Sequence, residues 1–551
     1  MAWKRSRFKL PAFRVDPVVL LCAAGCAAVL SLTAIAAAFS PPNSADAMAY
    51  HMPRVVYWAE QASVRFFPTT YFNQTMLQPF AEYAMLHTYL LSGGDRFINF
   101  VQWFASAASI IAVASIAMLF GASARGQAVA AVVCATIPAG ILASSGAKND
   151  YWMAMWLVAA VYFALRFTRE FQSADALLCG FAVGFALLTK ATAYLYAPWL
   201  LAAILVPALI RKRTPAGALV IMACALAINT PHYVRNYHLS GSIMGFDSAQ
   251  ADGFFRWRNE TFGWKQTASN ILRNLSEQLG ARSPRWNQGV YNFAAAAHKW
   301  IGIRMDDPAT TWRWSAFEPP KNANHEANAP SRWHLLLFVV MACLVAWKGN
   351  REQTLYALAL VCGFVALCAF MKWQPFLARL FLPLFVLSAP LAGAIRGRAL
   401  QILLCLFLLN SARPALLENW VRPLKGPRSV LHVPRDVQYF ADMTEWNNQP
   451  TYWKTLDVLA STNCGVIGLD ISHYPLEYPI QAILRERKPN VVFLHTGVQN
   501  FSERYPPSVG AAPCAVVCLE CLGDEKRLAT YSSFARRIDI DKFVVFLEPD
   551  P

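Results

Sequence analysis

Charge is what this chain has least of. Asp, Glu, Lys and Arg make up only 15% of its 551 residues, 56% are hydrophobic, and mean hydropathy reaches +0.32. Soluble globular domains rarely reach such values, so the composition marks a polytopic membrane protein. Acidic residues are scarcest, 33 against 49 Lys and Arg, for a net charge of +16. Residues 416–551 do not share that excess, holding 14 basic and 16 acidic residues. The surplus therefore belongs to the membrane portion, where it reflects orientation, and nucleic acid is excluded as a partner. No duplication relates the two halves, as an inverted-repeat transporter would show.

What is present in quantity is long apolar runs. Spans fall near 17–39, 97–120, 127–145, 151–167, 175–189, 191–210, 215–233, 333–347, 353–371, 376–395 and 399–415. Each suits a hydrocarbon core of roughly 30 Å, giving about eleven crossings. Lys4, Arg5, Arg7, Lys9 and Arg14 precede the first span, which reads as a retained helix. With that end inside, every inner loop is basic: Arg125; Arg166 and Arg169; Arg211, Lys212 and Arg213; Lys348 and Arg351; Arg396 and Arg398. The apolar stretch 76–92 would reverse that order as a further crossing, so it is expected to lie at the interface with Glu82 and His87 directed inward.

The expected organisation is a mainly α membrane domain, 1–415, with outer loops at 40–96 and 234–332, followed by a soluble outer α/β domain, 416–551. In the latter, 465–470 and 490–495 read as buried strands flanking a helix at 476–487, a βαβ pattern with no Gly-rich phosphate loop. Nine of thirteen cysteines lie in or near apolar spans; Cys464, Cys514, Cys518 and Cys521 lie in the outer tail. No His pair accompanies them at zinc-like spacing, so one or two disulfides are favoured over a metal, with the pairing open.

Outer loops also collect ionisable groups among aromatics. Asp46, Tyr50, His51, Arg54 and Glu82 occupy the first loop, Lys148 and Asp150 the next, and Lys190, Arg235, Lys372 and Arg379 later turns. Inner charges are clustered bases in polar loops, whereas this mixture of acids and bases suits a reaction site. The loop at 234–332 adds Trp257, Trp264, Trp286, Trp300, Trp312 and Trp314, read as membrane anchors or sugar-stacking faces, and Asn324-His325-Glu326 as a lid with Glu326 in reserve for acceptor contact.

The ordered series Asp46 with Tyr50-His51-Met-Pro-Arg54, Gln78-Pro-Phe-Ala-Glu82, Lys148-Asn-Asp150, Leu188-Thr-Lys190 and Lys372-Trp-Gln…Arg379 resembles the C-type integral-membrane glycosyltransferases that use polyprenyl-phosphate sugars. These include the protein O-mannosyltransferase and aminoarabinose transferase relatives. The resemblance covers the chain to about residue 415. It implies a GT-C fold in a bacterial inner membrane, N-terminus cytoplasmic and tail periplasmic. The donor it implies is an undecaprenyl-phosphate sugar, and the acceptor a lipid, glycan or protein.

Under that resemblance Asp46 is the base that deprotonates the acceptor, in an inverting transfer, and Asp150 a second acid. Lys190, Arg235, Lys372 and Arg379 would neutralise the leaving phosphate, and His51, Arg54 and Glu82 would position the sugar or Asp46. Asp46 departs from the family's adjacent acids, standing between Ala45 and Ala47. Only Asp150 and Glu82 could join it around a divalent cation, Mg or Mn, so no metal ligands are assigned and metal use stays open. A flippase for lipid-linked sugars, or a glycan polymerase or ligase, is the alternative.

Overall fold

The computed structural model describes residues 16–212, 215–245, 257–442, 449–471 and 476–549. The N-terminal bases Lys4, Arg5, Arg7, Lys9 and Arg14, and Arg213, lie outside the described residues. The membrane part opens with α1 (Pro17–Phe39), α2 (Met52–Glu60), α3 (Phe80–Ser92), α4 (Phe100–Leu119), α5 (Ala124–Ala135) and α6 (Pro138–Ala143). It continues through α7 (Asp150–Glu170), α8 (Ser173–Thr189), α9 (Ala193–Lys212), α10 (Ala216–Ser240), α11 (Trp264–Gln278) and α12 (Pro284–Ile301). Then follow α13 (Arg332–Lys348), α14 (Arg351–Phe370), α15 (Leu382–Ser388) and α16 (Arg398–Leu417).

Every expected apolar span is helical, and eight helical segments among the described residues have the length and hydropathy to cross a membrane. α5, α8 and α13 are shorter, with 12, 17 and 17 residues. Proline explains two irregular spans. Pro138 begins a new helix after α5, and Pro383 and Pro390 sit at the starts of α15 and of the 3₁₀ turn Ala389–Ala394. Small residues set the closest packing: a Cβ added to Gly180 on α8 would meet Cys224 Cβ at 2.7 Å and Ile221 Cα at 3.0 Å on α10. The Gly180-x-x-x-Gly184 spacing lets the two backbones approach, as small residues do between membrane helices.

The basic loops meet at one end of the bundle. Arg125 donates to Asp16 at 2.7 Å, Arg169 to Glu352 at 3.1 Å, and Arg166 lies 3.3 Å from Asp175, tying helix ends together. Asp46, Asp150, Lys190 and Arg379 stand at the other ends of their helices.

α3 lies where an interfacial helix was expected, with Glu82 buried but His87 exposed. At about 100° per residue, positions five apart point some 140° from one another, so both cannot face inward.

The tail contains α17 (Arg435–Gln438), α18 (Gln449–Ser461), β1 (Val466–Asp470), α19 (Tyr478–Arg487), β2 (Val492–His495), β3 (Ala515–Cys518), α20 (Glu525–Ala529), β4 (Arg536–Ile540) and β5 (Phe543–Leu547). The expected βαβ unit is present, with β1 parallel to β2 and Val466 opposite Val492. β3 joins β1 in parallel, and β5 then pairs antiparallel with both β3 and β4, giving the order β2-β1-β3-β5-β4. Disulfides link Cys464 to Cys514 and Cys518 to Cys521.

This sheet unit shares a core with the first outer loop. Met48, Tyr57, Trp58 and Tyr71 pack in one apolar cluster with Tyr439, Leu456, Ile483 and Phe493. Three carboxylates, buried Glu477 and partly buried Asp95 and Glu60, fasten the seam. Glu477 accepts from Tyr57 Oη at 2.7 Å and Gln74 Nε2 at 2.5 Å, and lies 3.0 Å from His495 Nε2. Asp95 accepts from Arg435, Tyr439 and Tyr478, and Glu60 from Arg485 and the Phe493 amide.

Candidate functional site

Asp46 emerges because α1 ends at Phe39 and the chain re-enters helix through a π-helical turn, Ala47–His51. Wider turns of this kind recur at functional sites. The Ala45 amide next to it donates to Asp442 Oδ2 at 2.6 Å, and Asp442 Oδ1 lies 2.6 Å from His325 Nε2. Arg379, in the 3₁₀ turn Leu377–Phe381, donates to Asp46 Oδ2, with Lys148 Nζ 4.0 Å from the same oxygen.

Lys148 also bonds Glu326 Oε1 at 2.6 Å, and Arg422 donates to the other Glu326 oxygen. Arg422 is fully buried, and reaches Ser145 Oγ and Asn43 Oδ1 at 3.1 Å and the Leu142 carbonyl at 3.0 Å. Asp150, at the start of α7, receives Lys190 Nζ at 2.5 Å, and Asn149 Oδ1 takes a second bond from that nitrogen at 3.1 Å.

Seven ionisable groups therefore form one cluster: Asp46, Asp150 and Glu326 with Lys148, Lys190, Arg379 and Arg422. Four positive and three negative charges leave a net +1. Burial opposes ionisation of Asp46, but Arg379 and Lys148 outweigh it and hold its carboxyl well below the usual carboxylate range. Glu326 is treated alike, with burial overcome by Lys148 and then Arg422. Both are ionised at neutral pH, and their side chains are 14% and 2% exposed.

The remaining expected residues go elsewhere. His51 Nδ1 lies 2.7 Å from Glu82 Oε1, and Arg54 bonds the same oxygen and the Gln74, Asn73 and Leu77 carbonyls. All three side chains are fully buried, so this trio braces the first loop behind Asp46 and is not open to a sugar. Arg235 donates to the Val64 carbonyl and to Tyr83 Oη on α3. Lys372 pairs with Glu260 at 2.6 Å and donates to the Pro308 carbonyl at 3.0 Å, at a separate cavity.

Lys148 and Arg422 were not among the residues expected to act. Lys148 stood in a quoted motif, whereas Arg422 lies in the tail, where nothing in the local sequence marks it. No three-ligand set of His, Cys, Asp or Glu converges at this face among the described residues; the one such group is Asp470, Cys518 and Cys521, whose cysteines are disulfide-bonded. A divalent cation at Asp46 or Asp150 would have to displace Arg379 or Lys190, so the arranged donors do not fit one.

The family model for dolichyl-phosphate-mannose-protein mannosyltransferases matches residues 79–234. No curated protein matches the sequence. Among solved structures, the chain resembles ArnT from Cupriavidus metallidurans bound to undecaprenyl phosphate, at 13% identity and a TM-score of 0.54, over 95% of this chain and 97% of that one. The apo form of the same protein aligns at 11% identity and a TM-score of 0.52, over 96% and 98%. The apo oligosaccharyltransferase of Archaeoglobus fulgidus aligns at 14% identity and a TM-score of 0.51, over 82% of this chain and 59% of that one. The chain has the C-type glycosyltransferase fold. The 95% coverage extends the likeness into the C-terminal sheet.

Proposed function

We propose that this GT-C-fold protein transfers a sugar from a polyprenyl-phosphate donor to an acceptor at the membrane face carrying Asp46. The observation that carries it is the Asp46, Asp150, Glu326 cluster with its four cations. A donor phosphodiester carries one negative charge, matching the net +1 of the seven groups, and departs as a phosphate of greater charge beside Arg379 and Lys148. Undecaprenyl phosphate is the ligand in the ArnT structure of the same fold.

Asp46 carries the proton step. The acceptor O–H or N–H attacks the anomeric carbon, the bond from that carbon to the phosphate oxygen breaks, and the acceptor proton passes to the Asp46 carboxylate. A single displacement inverts the anomeric centre. An ion-paired carboxylate is a poor base, so donor phosphate draws Arg379 off first, which raises the basicity of Asp46 for the proton step. Asp150 and Lys190 orient the acceptor, while Glu326 holds Lys148 in place between Asp46 and Arg422.

The same reading puts the site on the outer face of a bacterial inner membrane, with the N-terminus cytoplasmic and residues 416–551 periplasmic, and the basic helix ends opposite the site support that orientation. The test is sugar transfer by purified protein in nanodiscs from synthetic polyprenyl-phosphate sugars, with product anomer read by NMR. An inverted product that Asp46→Asn abolishes is the expected result. A retained anomer, or full turnover in the variant, removes Asp46 from the role.

A further inference from the structure

Residues 257–260, 310–312 and 371–373 build a small platform on the outer face. Lys372 N donates to the Trp257 carbonyl at 2.8 Å, Trp373 N to Thr310 O at 2.8 Å, and Trp312 N to Trp373 O at 2.9 Å. Beneath it, fully buried Arg273 bonds the Met305 carbonyl and Thr311 Oγ1 at 2.7 Å, with its guanidinium 5.3 Å from the Trp373 ring centre.

Two cavities of about 350 and 250 Å³ open on this platform, and Trp314 and Ser315 line both. Trp314 is 84% exposed and its backbone is left-handed, φ 54°, a conformation that non-glycine residues avoid unless the surroundings impose it. A large aromatic ring, with the Arg313 guanidinium 6.0 Å from its centre, thus stands exposed between two hollows.

The chemistry of the walls selects the occupant. Glu260 and Asp306 with Arg313 and Lys372 line the first hollow, and Glu277 and Glu318 with Lys321 the second. With Glu277 partly protonated near neutral pH, the four acids and three bases nearly balance, so no excess of positive charge draws in a phosphate. Burial, opposed by Lys321, pushes the Glu277 carboxyl up to about 7, so it both donates and accepts near neutral pH. Trp373 Nε1 and Asn328 Oδ1, on residues lining the second hollow, are buried without a hydrogen-bond partner, one a donor and one an acceptor. Aromatic faces beside paired donors and acceptors suit sugar rings, which offer C–H faces and hydroxyls together.

The second hollow is tied to the ion cluster through two short chain segments. Asn328 stands two residues after Glu326, Pro375 four before Arg379, and the Arg379 amide bonds the Ala327 carbonyl at 3.3 Å.

We infer that this groove is an acceptor subsite for an uncharged oligosaccharide, seating two consecutive sugar rings on either side of Trp314. The inference rests on the transferase reading for its acceptor role and on the groove alone for its binding role. It makes the acceptor a glycan, and Lys372 a sugar contact.

Binding is measured by saturation-transfer NMR on the full chain in nanodiscs without donor, using neutral linear gluco- and manno-oligosaccharides of one to four residues. Affinity is expected to rise from one residue to two, and Trp314→Ala to weaken the disaccharide by about tenfold or more. Trp300→Ala, a residue 88% exposed on α12 and outside the groove, is the control expected to bind normally. Affinity independent of length, or equal loss in both variants, overturns the groove. Donor hydrolysis by the same preparations separates the two readings. Hydrolysis without oligosaccharide binding removes the groove and keeps the transferase, while Trp314-dependent binding without hydrolysis or transfer of any donor removes the acceptor role.

Discussion

Asp46→Asn should separate donor affinity from turnover, moving them in opposite directions. In the resting protein Asp46 occupies Arg379 and stands 4.0 Å from Lys148. Two unit charges at that spacing attract by about 4 kcal/mol at an effective dielectric of 20. Desolvation and the site's partial exposure return most of it, leaving about 1 to 2 kcal/mol that an incoming phosphate must overcome. The neutral amide removes this competition, so lipid phosphate should bind roughly tenfold more tightly. Turnover should fall by about 10² or more, because the proton acceptor is gone. Microscale thermophoresis with undecaprenyl phosphate in nanodiscs reads the first quantity and radiolabelled sugar transfer the second. Weaker or unchanged phosphate binding in a folded variant would refute the competition between carboxylate and phosphate.

Other consequences can be read off the same contacts. Asp46 and Glu326 have folded pKa values below their unfolded ones, so their stabilisation is complete above about pH 4.5 and drains away as pH falls toward the folded values. Thermal melts should show that acid loss in wild type and a shallower one in Glu326→Gln, and kcat/KM should show no acid limb from Asp46 above pH 5. Gly180→Ala should cost about 1 to 3 kcal/mol, since its Cβ would meet α10 backbone at 3.0 Å. Gly289→Ala on exposed α12, with nothing within 4 Å, should be neutral or stabilise by up to about 1 kcal/mol. Glu477→Ala should cost about 3 kcal/mol by orphaning Tyr57, Gln74 and His495, and limited proteolysis should then cut the chain between α16 and β1 faster than in wild type.

Alternation made much of the site legible in the sequence. If every inner loop is basic, the ends of the intervening helices share one face, which is why Asp46, Asp150, Lys190 and Arg379 could be placed together. The partition among outer residues was not legible. Arg235 and Lys372 lie at outer loop ends as Arg379 does in the sequence, and only the packing of α3 and of the 257–260 segment sends them to other partners. Arg422 was out of reach for a different reason: its contacts with Ser145 and Asn43 span 277 and 379 residues. The βαβ unit was visible in its apolar runs, whereas its seam with the first loop depends on Glu60, Asp95 and Glu477, solitary acids with no local pattern.

That seam also orders events during synthesis. Asn43 donates to the Gln438 carbonyl across 395 positions, so the loop holding Asp46 waits for its cover while the ribosome makes the rest. At about 5–20 residues per second the wait is on the order of 20 to 80 s. Through that interval the bundle is still being made and its outer face is unfinished, so apolar Met48, Tyr57 and Trp58 lack the tail residues they pack against. Synthesis and completion of the first loop therefore finish almost together, since its apolar residues pack against β1, β2 and β5 of the tail.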